Sequence, residues 1–357
     1  MLRAALIGFP SVGKTTLFRL MTSVAEARDG ARRQAAHVGV ARVPDPRLDR
    51  LVELYRPRRR VPATVELTEM VGHTATRSLL DVAAFRNADA LLHVVRAFRD
   101  ERVAHVSGSV EPLRDARTME DELILADLGV AERRLDRLAQ DLKKIKNDDL
   151  TAEHTVLEQC RVALEAGTPL RRLSLDPHAA KRLRGFQFLS AKPLLLVNNL
   201  DEADLPDRLQ ASASSLAPFL EESGAQAVSV CAKIELEISQ LDPDAASAFS
   251  DDLGLTESGL NRIVRASYEL LGYVSFFTVG DDECRAWTLP RGTSAREAAG
   301  EIHSDISRGF IRAEVVAYTD LVAHGSLPAC RDHGLVRLEG KDYVVQDGNV
   351  INFRFAT

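Results

Sequence analysis

Eight residues near the start of the chain constrain it more than any other feature. Gly8-Phe9-Pro10-Ser11-Val12-Gly13-Lys14-Thr15 fits GxxxxGK[ST] in full,. The apolar run Leu2 to Ile7 before it reads as a strand, and 14–22 after it reads as a helix,. That strand–loop–helix context is the one in which backbone N–H groups curl around phosphate oxygens. The phosphate-binding residues expected from it are Phe9, Pro10, Ser11, Val12, Gly13, Lys14, Thr15 and Thr16. Lys14 would bridge the β- and γ-phosphates and serve the reaction as a charge clamp, and the Thr15 hydroxyl would ligate Mg²⁺.

The rest of the chain supplies a fold to hold that loop. Short apolar runs at 63–68, 90–95, 193–197 and 227–231 read as buried strands, each followed by a polar turn,. Together they predict a doubly wound, mostly parallel α/β sheet. Residues 119–166 differ: no proline, a single glycine, and leucines at 125, 128, 135, 138, 142, 157 and 164. The spacing predicts two long amphipathic helices forming an antiparallel hairpin, broken near Asn147-Asp148-Asp149. Such a hairpin either packs on itself or grips a partner. The last 85 or so residues alternate strands (274–279, 284–289, 313–317, 343–345, 350–355) with a short helix at 295–303, which predicts an α+β domain of β-grasp type,. The expected division is 1–115 with 185–272, an insertion at 116–184, and a C-terminal domain at 273–357.

Composition narrows the partners. With 46 Lys and Arg against 52 Asp and Glu, the net charge of −6 excludes a surface that coats nucleic acid throughout, though not a local basic patch,. Cys160, Cys231, Cys284 and Cys330 lie far apart with no CxxC pair, which argues against a zinc ribbon or a disulfide framework and for a reduced cytoplasmic protein,. No run of about eighteen apolar residues suggests a membrane span, and the N-terminus lacks the pattern of a signal peptide.

A base-reading loop should follow a later strand, and "LLLVNNLDEAD" offers one. Two registers compete there, Asn198…Asp201 and Asn199…Glu202, neither with the Lys usual in guanine-reading Asn-Lys-x-Asp loops. Two tripeptides could complete the base pocket. Ser190-Ala191-Lys192 precedes a strand and reads as structural. Cys231-Ala232-Lys233 follows one, where open α/β sheets bind ligands, so Ala232 and Lys233 are the better candidates,.

These residues resemble the YchF-type Obg-like ATPases, P-loop NTPases of the TRAFAC class. The resemblance runs over nearly the whole chain, through "GFPSVGKTTLFRLMT" (8–22), "VGVARVPDPRLDRL" (38–51), "VPATVELTEMVG" (61–72), "NADALLHVVRAF" (87–98), "ELILADL" (122–128) and "GFQFLSAKPLLLVNNLDE" (185–202). It closes with 276–318 and "LEGKDYVVQDGNVINFRF" (338–355), which look like that family's TGS (β-grasp) domain. The resemblance implies a G domain interrupted by a coiled-coil hairpin, a base loop of the NxxE kind at Asn199 and Glu202, and ATP preferred over GTP. It also implies the ribosome (rRNA or ribosomal proteins) as partner. Mg²⁺ is the expected cofactor beside Thr15, and a monomer is the expected state.

The departures from the family cluster on the catalytic parts. Ser11 stands where the family has an Asn associated with activation by monovalent cations. Arg33 stands where its first switch has a Thr that reaches Mg²⁺. Arg32 or Arg33 is then either a built-in arginine finger or a solvated loop residue. The family's DxxG becomes Glu69-Met70-Val71-Gly72, with Glu69 a candidate metal ligand and Gly72 a γ-phosphate contact. His73 follows, where translation factors place a water-orienting histidine, and "HTATRSLLDVAAF" contains no glycine,. Nucleotide binding is therefore expected with slow or impaired hydrolysis. The alternatives are a GTPase reading guanine through Asn198 and Asp201, and a non-hydrolysing nucleotide-sensing module.

Overall fold

The computed structural model describes residues 2–22, 36–70, 85–205 and 208–356. Along them run β1 (Leu2–Ile7), α1 (Lys14–Thr22), β2 (Ala36–Arg42), α2 (Pro46–Tyr55), β3 (Arg59–Val61), β4 (Thr64–Met70) and β5 (Ala90–Arg96). Next come α3 (Pro112–Leu142), α4 (Asp148–Glu165), α5 (Pro177–Leu183), β6 (Leu194–Asn199), α6 (Arg208–Ser223), β7 (Gln226–Val230), α7 (Ala232–Ser239), α8 (Pro243–Asp252) and α9 (Gly259–Leu270). The chain closes with β8 (Tyr273–Thr278), β9 (Glu283–Pro290), α10 (Ala295–Ile302), α11 (Ser304–Arg308), β10 (Phe310–Ala317), α12 (Tyr318–His324), α13 (Leu327–Asp332), β11 (Arg337–Glu339) and β12 (Asn349–Phe355). Two compact units result, one from 2–39 with 66–263 and the other from 40–65 with 264–357. Segment 40–65 thus groups with the C-terminal residues, whereas the sequence reading keeps it with the phosphate loop.

The first unit is an α/β P-loop domain. Its sheet has the order β2-β4-β1-β5-β6-β7, and the pairs β1–β5, β5–β6 and β6–β7 are parallel. Every residue of β5 and β6 is buried, as central parallel strands covered on both faces should be. β2 is not evident as a strand in the sequence, because Gly39 interrupts its apolar pattern. The glycine is there for room: a Cβ on Gly39 would lie 2.6 Å from Cγ2 of Thr22.

The helical hairpin is α3 and α4. Asn147 caps α4, its Oδ1 accepting from the N–H groups of Asp149 and Leu150 at 2.8 and 3.2 Å, so the break falls where the sequence places it. The seam is Ile124, Ala131, Leu135 and Leu138 against Leu157, Cys160 and Leu164. Leu125 lies off that seam and is 61% exposed. A stripe built on Ile124 and Ala131 keeps the seven-residue spacing to Leu138, which leucines alone do not reveal.

The second unit has a six-stranded sheet of order β11-β10-β12-β8-β9-β3. β8 and β9 form an antiparallel hairpin, β12 lies parallel to β8, and β10 runs antiparallel to β12. A first and a last strand side by side and parallel, with α10 packed on one face, is the β-grasp arrangement. Its core includes Phe276, Leu289, Ala298, Val315 and Ile351. Ser294 and Glu297 make a reciprocal capping box at the start of α10,. Residues 343–345 are not a regular strand, contrary to expectation. Their backbone groups are engaged by the loop before α10, where Ala295 N donates to Tyr343 O and Val345 N to Thr293 O. The edge strand is β11 instead. The basic run at 56–60 lies in this unit, and Arg58, Arg59 and Arg60 pair with Asp282, Glu283 and Asp49. Exposed pairs of this kind contribute about 0–1 kcal/mol each.

Candidate nucleotide site

The loop between β1 and α1 has the backbone its sequence demands. Gly8 and Gly13 take φ of +141° and +100°. A Cβ on Gly8 would sit 2.4 Å from Val94 O, and one on Gly13 would sit 2.4 Å from Asn199 Nδ2. Ser11 also has a positive φ, +60°. That conformation costs a residue with a Cβ about 1 kcal/mol, and it costs less for Asn, the residue the family resemblance places at this position. Phe9 and Val12 are buried and pin the loop from below, while Ser11 and Thr15 are exposed.

Lys14 folds back on its own loop. Its Nζ donates to Gly8 O at 3.0 Å and Phe9 O at 2.7 Å. Burial holds its pKa below the ordinary lysine value, partly offset by the Glu69 carboxylate. The Thr15 hydroxyl donates to Glu69 Oε1 at 2.5 Å. Glu69 is buried, and among the described residues its Oε2 accepts no hydrogen bond; His37 Nδ1 lies 3.7 Å from it. His37 stacks on Phe18, ring centroids 6.1 Å apart. A hydroxyl beside a carboxylate with one unsatisfied buried oxygen is a donor set that suits a hard divalent cation.

His93, a packing residue on sequence grounds, lies fully buried in β5, and its Nε2 makes no hydrogen bond to the described residues. Burial, with a smaller contribution from the Lys14 ammonium, pushes its pKa down to about 3. A neutral imidazole therefore lies in the strand beside the phosphate loop.

At the end of β6 the two asparagines part company, as successive strand residues must. Asn199 turns to the phosphate loop: Nδ2 donates to Val12 O at 2.9 Å, and Oδ1 accepts from Ala232 N at 3.0 Å. Asn198 is also buried, and its Oδ1 has no hydrogen-bond partner among the described residues. The Asp201 carboxylate is engaged by backbone, accepting from Arg99 N at 3.0 Å and Ala203 N at 3.3 Å. The Arg99 amide is the first cause of its depressed pKa. Glu202 is exposed and pairs with Lys233 Nζ at 2.6 Å. Asn199, Glu202, Ala232 and Lys233 are thus brought together, while Asp201 is occupied elsewhere. Ser190 and Lys192 serve the scaffold. Ser190 Oγ donates to Asp127, and Lys192 Nζ donates to Arg86 O and Ala88 O.

Sequence reasoning missed Arg96. Its buried guanidinium, at the end of β5, donates to the carbonyls of Phe98, Asp100 and Val103 at 3.0–3.1 Å and so fixes the loop that follows. That loop in turn delivers the N–H groups of Ala97 and Phe98 to Asn199 O. An arginine closing a strand whose other residues, His93 apart, are apolar was the available signal. Arg32, Arg33, Gly72 and His73 lie outside the described residues. Among the described residues no group of three or more His, Cys, Asp and Glu side chains is placed to hold a metal. No described helix is long and apolar enough to cross a membrane.

Comparison with known proteins places this geometry in context. Residues 273–356 match the family model YchF-GTPase_C, described as a protein of unknown function (DUF933). The chain is 40% identical to the "Ribosome-binding ATPase YchF" of Bacillus subtilis, with 99% of each chain covered. It is 37% identical to the protein of the same name from Escherichia coli O157:H7, again over 99% of each. Among solved structures it resembles the Schizosaccharomyces pombe YchF GTPase with a TM-score of 0.86 and 29% identity, over 99% of this chain and 97% of that one.

Proposed function

The chain belongs to the YchF family, and from that premise we propose that it is an ATP-binding P-loop protein with slow intrinsic hydrolysis that acts as a nucleotide-gated regulator on the ribosome. The relatives' names state ribosome binding and ATPase activity. The observation that carries the choice of nucleotide is the Asn199 side chain, bonded at once to the phosphate loop and to the first residue of α7. It supports the Asn199…Glu202 register. A Glu in that register is one methylene longer than the Asp that reads guanine with two hydrogen bonds, which weakens the case for GTP.

In this reading the amides of Phe9 and of residues 11–16 bind the triphosphate, and Lys14 leaves Gly8 O and Phe9 O for the β- and γ-phosphates. Mg²⁺ would be held through Thr15 and Glu69 and would neutralise phosphate charge. Glu202 and Lys233 line the base end. Slow turnover follows from the altered switch residues, since phosphoryl transfer needs a positioned water as well as bound phosphates. The hairpin is the arm toward the ribosome. Arg133, Arg137, Lys143, Lys144 and Lys146 are exposed along α3 and its tip, where they can meet rRNA phosphates,. Arg134 is paired with Glu153 and is not part of that surface. We read the protein as a monomer of the cytoplasm.

The test is competition binding of ATP and GTP to the full chain, followed by phosphate release with and without Lys14→Ala. ATP favoured at least tenfold, with slow release that disappears in the variant, is the expected result. GTP favoured over ATP would overturn the base assignment. Tight ATP binding with no release at all would make the protein a nucleotide sensor.

A further inference from the structure

The C-terminal unit carries a pair of histidines that the nucleotide chemistry does not use. His324 closes α12, and His333 is the residue after α13, at the far end of "HGSLPACRDH". Their rings lie 4.7 Å apart between centroids, with an interplanar angle of 54°.

Both rings are fixed in the same way. His324 Nδ1 lies 2.9 Å from Asp320 O, and His333 Nδ1 lies 2.8 Å from Ala329 O. A backbone carbonyl only accepts, so each Nδ1 carries the proton and each neutral ring keeps its lone pair on Nε2. Neither Nε2 has a hydrogen-bond partner among the described residues. An Nδ1–H bonded to a backbone carbonyl is the outer-shell arrangement that orients a metal-ligating histidine.

We propose that His324 and His333 form a two-histidine site for a borderline-soft divalent transition metal of the Zn²⁺ class, bound through the two Nε2 atoms and completed by water. The ring separation fits. Two imidazoles bound to one ion at ~2.0–2.1 Å, with an N–metal–N angle of about 90–110°, have centroids roughly 4.5–5.2 Å apart. Both rings also sit at helix C-termini, where the backbone carbonyls favour a cation. Cys330 is not a third ligand. It is buried, and its Sγ is turned to Asp320 O at 3.6 Å. Two protein ligands with water give a micromolar site, not a tight structural one. Mg²⁺ and Ca²⁺, which prefer oxygen donors, are excluded by the same chemistry.

The test uses the full-length chain without an affinity tag, saturated with Mg-ADP so that the phosphate loop is occupied. Zn²⁺ and Co²⁺ are titrated by calorimetry against wild type, His324→Gln, His333→Gln and, as a control, His178→Gln on α5. One equivalent at micromolar affinity, weakened tenfold or more by either of the first two changes and untouched by the control, is the expected result. His333 is exposed, so its variant should fold, and its melting temperature checks that. The imidazole ¹⁵N resonances of the wild type give a readout that needs no variant, because metal must shift Nε2 of both rings while Nδ1 stays protonated. Absence of saturable binding below about 1 mM, affinity unchanged in both variants, or unmoved Nε2 resonances would overturn the site.

Discussion

Asn199 joins the phosphate loop to the base loop through the two ends of one amide: Nδ2 donates to Val12 O, and Oδ1 accepts from Ala232 N. Each bond uses one half of the amide, so no other residue type of the same length reproduces both.

Asn199→Asp is therefore expected to damage stability and binding together. It replaces the donor facing Val12 O with a carboxylate oxygen in a buried place, at a cost of about 2–4 kcal/mol. Nucleotide affinity should fall at least tenfold, because the loop that presents its amides is no longer held. Chemical denaturation and calorimetric titration measure the two effects. An Asn199→Asp variant that binds ATP like wild type would refute the linking role.

Lys14→Met separates binding from stability. Lys14 is partly desolvated and rests on two carbonyls of its own loop. Removing the ammonium relieves that desolvation while it deletes the phosphate contact. Triphosphate affinity should drop a hundredfold or more, with unfolding free energy changed by less than about 1 kcal/mol. Titration and denaturation of the same preparation decide it, and a collapsed fold would count against this account of the resting lysine.

The phosphate loop, the central strands and the hairpin break were legible because each rests on local chemistry: glycine spacing, unbroken apolar runs and an Asn cap. β2 was not legible, because Gly39 breaks its pattern for the sake of Thr22, a neighbour distant in sequence. Choosing between Asn198 and Asn199 was beyond spacing too. Both precede an acid at the same interval; the family resemblance points to Asn199, and the alternation of side chains in β6 turns that residue toward the phosphate loop,. Arg96 and the His324–His333 pair depend on what surrounds them after folding. Leu125 misled because leucine looked like seam where Ile124 was the seam.

Arg47 should matter for the C-terminal unit and not for the nucleotide. It donates to Asp45 and, through Nη1 at 2.7 Å, to Asp347, whose Oδ1 accepts from Ser275 N. Its guanidinium also lies 5.2 Å from the centre of the Phe277 ring. Arg47→Ala leaves two carboxylates short of a partner and should destabilise that unit by about 1.5–3 kcal/mol. Arg47→Lys restores the charge without the planar fork and should recover only part. ATP affinity that fell with either variant would show that this ion pair reaches further than its own unit.

His93 is expected to steepen the loss of stability in acid. Its folded-state pKa of about 3 lies below the 6.5 of an exposed histidine, so between those values the unfolded chain binds a proton that the folded one refuses. Unfolding free energy then rises with pH in that window, and the contribution is lost as pH falls from about 6.5 toward 3. The full difference corresponds to at most about 4–5 kcal/mol. His93→Gln lowers stability at neutral pH, because it disturbs the packing of β5, so the level is not the test. The slope is. Denaturation curves from pH 7 to pH 4 should show stability falling more steeply in wild type than in the variant, and parallel slopes would mean that the buried imidazole is protonated in the folded protein after all.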